Sequence, residues 1–137
     1  MDFDNVFRGL SISATGLLAE RTRMGLIAQN LAHAHDTDRG DGTPYKRQMA
    51  VFETILEGEM SGGVRVGQVV DDEETPFVQQ HMPGHPDADA AGMVTLPNVN
   101  PTYEMIDLMT AARAYEANLQ AAQMAVRMAE QALELGR

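Results

Sequence analysis

No cysteine occurs among the 137 residues, which excludes disulfides, thiolate metal sites and cysteine nucleophiles. Tryptophan is also absent, aromatics make up 5%, and Ala and Met supply much of the apolar fraction, so a large compact core is not expected. Length leaves room for one ordinary domain. Long apolar runs are missing too. The opening Met1-Asp2-Phe3-Asp4-Asn5-Val6-Phe7-Arg8 has neither the apolar stretch nor the small-residue cleavage site of a secretory leader, and no membrane span is expected. Basic stripes are lacking. The net charge is −10, with the excess in the middle: residues 1–35 hold three acidic and three basic side chains, residues 36–100 twelve and four, residues 101–137 five and three. Phosphate binding needs clustered Lys and Arg, so no nucleic-acid partner is expected. The near-neutral ends can pack side by side, while the acidic middle faces solvent or a basic neighbour. Neither a nucleophile elbow nor a Gly-rich phosphate loop is present, and no enzymatic activity, cofactor or small-molecule substrate is expected.

What the chain does have is two apolar ladders, one at each end. Phe3, Leu10, Leu17, Met24 and Leu31 recur at a spacing of seven, with Phe7, Ala14 and Ala28 four residues on from three of them. Met105, Ala112, Leu119, Val126 and Leu133 repeat that spacing, joined by Leu108, Tyr115, Ala122 and Ala129 three residues on. Such a three-four alternation marks a seam that a partner helix must cover, so the two ends are expected to meet each other, copies of themselves, or both. Periodicity alone fits an ordinary helical hairpin in a small globular protein equally well. The ten Met residues read as flexible gap-fillers.

A first helix capped by Asp2 or Asp4 is expected to run to about His35. Gly9, Gly16 and Gly25 weaken it by about 1 kcal/mol each against Ala. Gly9 and Gly16 would also bare one face for close approach. The segment is therefore expected to become fully helical only when packed. Residues 36–44 read as a turn-rich loop, and residues 45–52 and 64–70 as short strands. Five of the six prolines fall between Pro76 and Pro101, which rules out long regular structure there. The second helix is expected to start at Pro101 with Asn100 as its cap, and to stop at Gly136. The chain thus divides into 1–35, 36–100 and 101–137, in a mainly α fold whose terminal helices pack as an antiparallel coiled coil around a loop-rich middle with short strands.

Several polar clusters invite a chemical reading. His33 and His35 lie two apart, so they leave a helix on different faces, and His81 and His85 flank a Pro-Gly turn at a spacing no familiar metal motif demands. The run from Asp36 opens like a calcium loop but carries Arg47 at the twelfth position, where a bidentate Glu is required. No metal site is expected.

The segment Arg21-Thr22-Arg23-Met24-Gly25-Leu26-Ile27-Ala28-Gln29-Asn30-Leu31-Ala32-His33-Ala34 resembles the N-terminal signature of bacterial flagellar axial proteins, the rod and hook family. The block from Pro83-Gly84-His85-Pro86 to Pro97-Asn98-Val99-Asn100, and Glu104 to Asn118 after it, resemble the proximal-rod branch of that family. His33, His35 and Met93 depart from its usual residues. The resemblance implies a structural subunit of the basal-body rod, exported without a cleaved signal peptide by the flagellar type III apparatus. It also implies polymerisation with copies of itself and other rod proteins into a hollow shaft across the periplasm. The assembly interface would then comprise Leu10, Leu17, Met24 and Leu31 in the first helix and Met105, Ala112, Leu119, Ala122, Val126 and Leu133 in the second. A cytoplasmic helical-hairpin regulator or export chaperone is the alternative use of the same seams.

Overall fold

The computed structural model describes residues 3–56, 58 and 61–135. Helix α1 spans Phe3–Ala32 and helix α2 spans Pro101–Leu135. Between them lie β1 (Gln48–Thr54), β2 (Val64–Asp71), β3 (Val78–His81) and β4 (Met93–Leu96). The fold is mainly α with a strand-containing middle, as expected.

The helices run antiparallel. Asn30 of α1 bonds to Glu104 of α2, while Gly16 faces Asn118, so advancing along one helix means retreating along the other. The start of α2 follows the expected chemistry: Asn100 Oδ1 accepts from Thr102 N at 3.0 Å and Tyr103 N at 3.4 Å, with Pro101 as the first helical residue. Asp4 sits inside the first turn of α1 rather than capping it. Asp2 and Gly136, expected as cap and stop, lie outside the described residues. Helix α1 ends at Ala32, three residues before the expected limit. Beyond it the His33 ring stacks on Tyr45, 4.9 Å between centroids, and its Nδ1 meets Asp36, which turns the chain out of the helix.

Strands β1 and β2 form an antiparallel pair, and β3 and β4 another. Strand β1 begins three residues after the expected Tyr45, because Tyr45 is drawn inward to a small cluster with Ala34 and Val99. In the β1–β2 register Val51 opposes Gln68 but Phe52 opposes Val66, so Gly67 is the extra residue of a bulge. The Pro-rich stretch contains β3 and β4, four residues each, which the prolines shorten without forbidding. Helix α1 crosses the β1–β2 pair diagonally. Its Thr15 hydroxyl accepts from Val64 N at the start of β2 (3.0 Å), and its Asn30 reaches Gln48 at the start of β1. Among the described residues no helix is long and apolar enough to cross a membrane.

Candidate functional site

The interior seam between α1 and α2 is made of small and polar residues. Thr15, Gly16, Ala19, Ile27 and Asn30 are buried on α1, Ala34 just beyond its end, and Glu104, Ala111 and Ala125 on α2. Gly16, Asn30, Glu104, Ala111 and Ala125 each stand one position before a ladder residue, namely Leu17, Leu31, Met105, Ala112 and Val126. A seven-residue repeat generates adjacent stripes on one helix, and within the chain the partner helix covers the stripe of smaller side chains. The ladders are left on its flank. Leu10, Leu17, Met24 and Leu31 are half-buried, as are Ala112 and Ala122. Met105 (58% exposed), Leu119, Val126 and Leu133 (64%) face outward. Leu10 shares a shallow depression with Ala122 and Val126, where the two ladders adjoin. Of Gly9 and Gly16, expected to bare a face, only Gly16 does so toward α2: an added Cβ would come within 2.8 Å of the Asn118 side chain, whereas Gly9, like Gly25, has nothing within 4 Å among the described residues.

At the other end of the seam, a buried polar junction ties both helices to the middle. Asn30 (0% exposed) uses its whole amide: Nδ2 donates to Gln48 O at 2.9 Å and Glu104 Oε2 at 3.1 Å, while Oδ1 accepts from Gln48 N at 2.9 Å and the Tyr45 hydroxyl at 3.0 Å. Glu104 (1% exposed) also accepts from Arg47 Nε. The Arg47 guanidinium reaches on to Asp72 at 3.5 Å and Asp107 at 3.4 Å. Buried charges persist when paired and hydrogen-bonded in this way. Burial opposes the charge on Arg47, but hydrogen bonding and attraction from Glu104, with Asp72 and Asp107 behind it, hold the guanidinium above its ordinary range. For Asp72 burial acts upward, yet the Thr75 N–H and hydroxyl, the Glu74 N–H and Arg47 outweigh it and hold the carboxyl below the usual carboxylate range. Burial pushes the Tyr45 phenol up.

Asn98 completes the junction as a surrogate strand. Its Oδ1 accepts from Arg47 N at 2.7 Å and its Nδ2 donates to Asp72 O at 2.9 Å, inserting a side-chain amide where a ladder rung would otherwise close. Sequence reasoning placed none of Asn30, Arg47, Asp72, Asn98 or Glu104 in a site. The signal that could have found two of them is a polar residue at the seam spacing: Asn30 precedes Leu31 and Glu104 precedes Met105.

Among the described residues no group of three or more His, Asp or Glu is placed to hold a metal. His85 Nδ1 accepts from Asp87 N at 3.1 Å, a loop contact.

The family described as "Flagellar basal body rod FlgEFG protein C-terminal" matches residues 90–135, from just before β4 to the end of α2. The flagellar basal-body rod protein FlgC of Aquifex aeolicus is 40% identical over 133 residues, covering 95% of this chain and 96% of that protein. FlgC of Bacillus subtilis is 38% identical, covering 96% of this chain and 98% of its own. FlgC of Salmonella typhimurium is 35% identical, covering 96% of each. Similarity at this level runs through both helices and the whole intervening middle, so the chain belongs to the FlgC family of flagellar basal-body rod proteins.

Proposed function

We propose that the chain is a structural subunit of the flagellar basal-body rod, polymerising with other rod proteins and with copies of itself into a hollow shaft that transmits torque and passes exported subunits. The observation that carries this reading is the unused stripe on the paired helices. The intramolecular seam takes the small residues, and the ladder residues Met105, Leu119, Val126 and Leu133 stay exposed along α2. An apolar stripe of that length on an isolated chain is a surface awaiting a neighbour. We assign residues 1–35 and 101–137 to the axial helical layer and residues 36–100 to an outer or space-filling part. A heterologous contact repeated on every subunit extends without closing, which suits a shaft. Delivery by the flagellar type III apparatus without a cleaved leader, a position in the periplasm, and the absence of catalysis belong to the same reading.

Electron microscopy of basal bodies from a strain lacking the gene tests it. Rings without rod, hook or filament, restored by the intact gene but not by one lacking residues 101–137, are the expected result. Complete flagella in the deletion strain would overturn the reading.

A further inference from the structure

Helix α2 turns one stripe toward α1, made of Glu104, Ala111, Asn118 and Ala125 at a spacing of seven; three of these are buried and Asn118 lies against Gly16. Successive helical residues project about 100° apart, so the residues before and after each of them leave α2 on opposite flanks. One flank carries Tyr103, Thr110, Ala117 and Met124, the other Met105, Ala112, Leu119 and Val126. All of these are exposed except the half-buried Ala112, and Tyr103, Met124 and Met105 reach 67%, 62% and 58%. A helix left largely apolar on two opposite flanks offers a place to two neighbours, one on each side.

The face of α2 farthest from α1 carries a second repeat. Arg113 and Glu116 recur as Arg127 and Glu130, fourteen residues or about 21 Å further along. All four are exposed, and among the described residues none makes a hydrogen bond or an ion pair. Arg before Glu is also the weaker order for pairing inside a helix. By the same angular rule each Arg leans toward the flank of Ala117 and Met124, and each Glu toward the flank of Leu119 and Val126.

We propose that α2 of a second copy of this chain lies alongside α2 and points the same way, the Leu119 and Val126 flank of one copy against the Ala117 and Met124 flank of the other. Arg113 and Arg127 then pair with Glu116 and Glu130 of that neighbour. The charges select the occupant, its direction and its register. A copy laid antiparallel about a twofold axis sets each flank against itself, so that Arg faces Arg or Glu faces Glu. A parallel copy sets Arg beside Glu. The apolar flanks alone also accept displacements by seven residues, but these move Arg113 opposite Gln123 or Met109, and a displacement by fourteen keeps one ion pair of the two. An offset of two to three residues, about 3–5 Å along the axis, seats both flanks and both ion pairs together. Burial of the flanks supplies affinity, while charges along the edge of such a seam fix register and orientation. Opposite flanks are used, so the contact passes from copy to copy instead of ending at a dimer.

This inference rests on the reading of the chain as a self-associating rod subunit, and its test separates the two. The chain has no native cysteine, and Ala117→Cys with Leu119→Cys in one chain places thiols on opposite sides of α2, where they cannot reach each other. Facing Cα atoms of helices about 8–10 Å apart come within disulfide reach. Oxidation of basal bodies, and of concentrated full-length protein, should therefore give a ladder of multiples of the 14.9 kDa chain mass. Should that variant misfold, Met124→Cys with Val126→Cys serves instead. A single band at twice the chain mass would mean a closed pair and overturn the proposal. Arg113→Glu with Arg127→Glu should lower the ladder's yield on the order of tenfold at low salt. Adding Glu116→Arg and Glu130→Arg to that chain exchanges the signs and should restore it; a ladder indifferent to the reversal, or one that the exchange fails to restore, refutes the charge-set register. Basal bodies that contain the double-cysteine subunit and yield no ladder keep the rod reading and overturn the helix pairing. If the unaltered subunit never enters basal bodies, the rod reading falls, and the purified chain then decides: a ladder upholds the pairing and its absence refutes it.

Discussion

Glu104 is the residue whose environment leaves least freedom. It is a buried carboxylate whose compensation comes from Arg47 on a different part of the chain and from the Asn30 amide. Removing one partner of such a pair costs about 3–5 kcal/mol, because the other charge is stranded. Arg47→Met should therefore lower unfolding free energy in urea by about that amount. Adding Glu104→Gln to it should recover a substantial part, since Glu104 is then no longer a stranded charge and Asp72 keeps its hydrogen bonds from Thr75 and Glu74; a double variant less stable than the single would refute the account. Asp72 gives the junction a pH dependence. Its carboxyl is held below the ordinary 3.8, so its stabilising contribution is present above the unfolded-state value and lost as pH falls through the folded one. Stability measured from pH 6 downward should fall near and below about pH 4, and Asp72→Asn should flatten that part of the curve.

At the scale of elements, the seam sorts the glycines of α1 by what they face. Gly9 and Gly25 face open space within the chain, so Ala at either should raise helix stability by up to about 1 kcal/mol in thermal melts followed by circular dichroism. Gly16 abuts Asn118, and a bulky residue such as Leu there must displace that side chain and should lower the melting temperature. A stabilising Gly16→Leu would mean that the seam is looser than described. The helices themselves were legible from their seven-residue spacing, their Gly and Pro punctuation and the Asn100 cap. Which stripe each helix turns toward the other was not. Leu17 and Gly16, or Met105 and Glu104, sit on neighbouring stripes, and apolarity favours the outer one. The inner stripe is chosen by close approach of small side chains and by an Asn–Glu pair whose meaning depends on Arg47 arriving from elsewhere. Strands β3 and β4 were hidden for a similar reason: prolines bound them on both sides, and only their pairing makes them strands.

Across the whole molecule, burial is uneven along the helical pair. Buried residues concentrate around the Ala34–Tyr45–Val99 cluster and the Asn30–Glu104 junction, whereas beyond Ala111 only Ala125 is buried on α2, and Phe7 and Leu133 at the far end are 57% and 64% exposed. Local opening follows the sparsity of buried contacts. Hydrogen exchange on the free chain should show protection highest across residues 26–34, 45–50 and 98–111 and lowest across 3–14 and 119–135. Equal protection along both helices would contradict this picture.

The polar junction also has a bearing on time. Asn30 and Glu104 are 74 positions apart, and Arg47 and Asn98 are 51 apart. Contacts of such long loop span form late, after the entropy of closing the loop has been met. A polypeptide emerging N-terminus first, whether from a ribosome or from a narrow conduit, presents Asn30 and Arg47 without Glu104, the residue that ties both to α2, until roughly three quarters of its length is out. The fastening that sets the register of the two helices is thus the last to close, and the chain stays a thread for most of its passage.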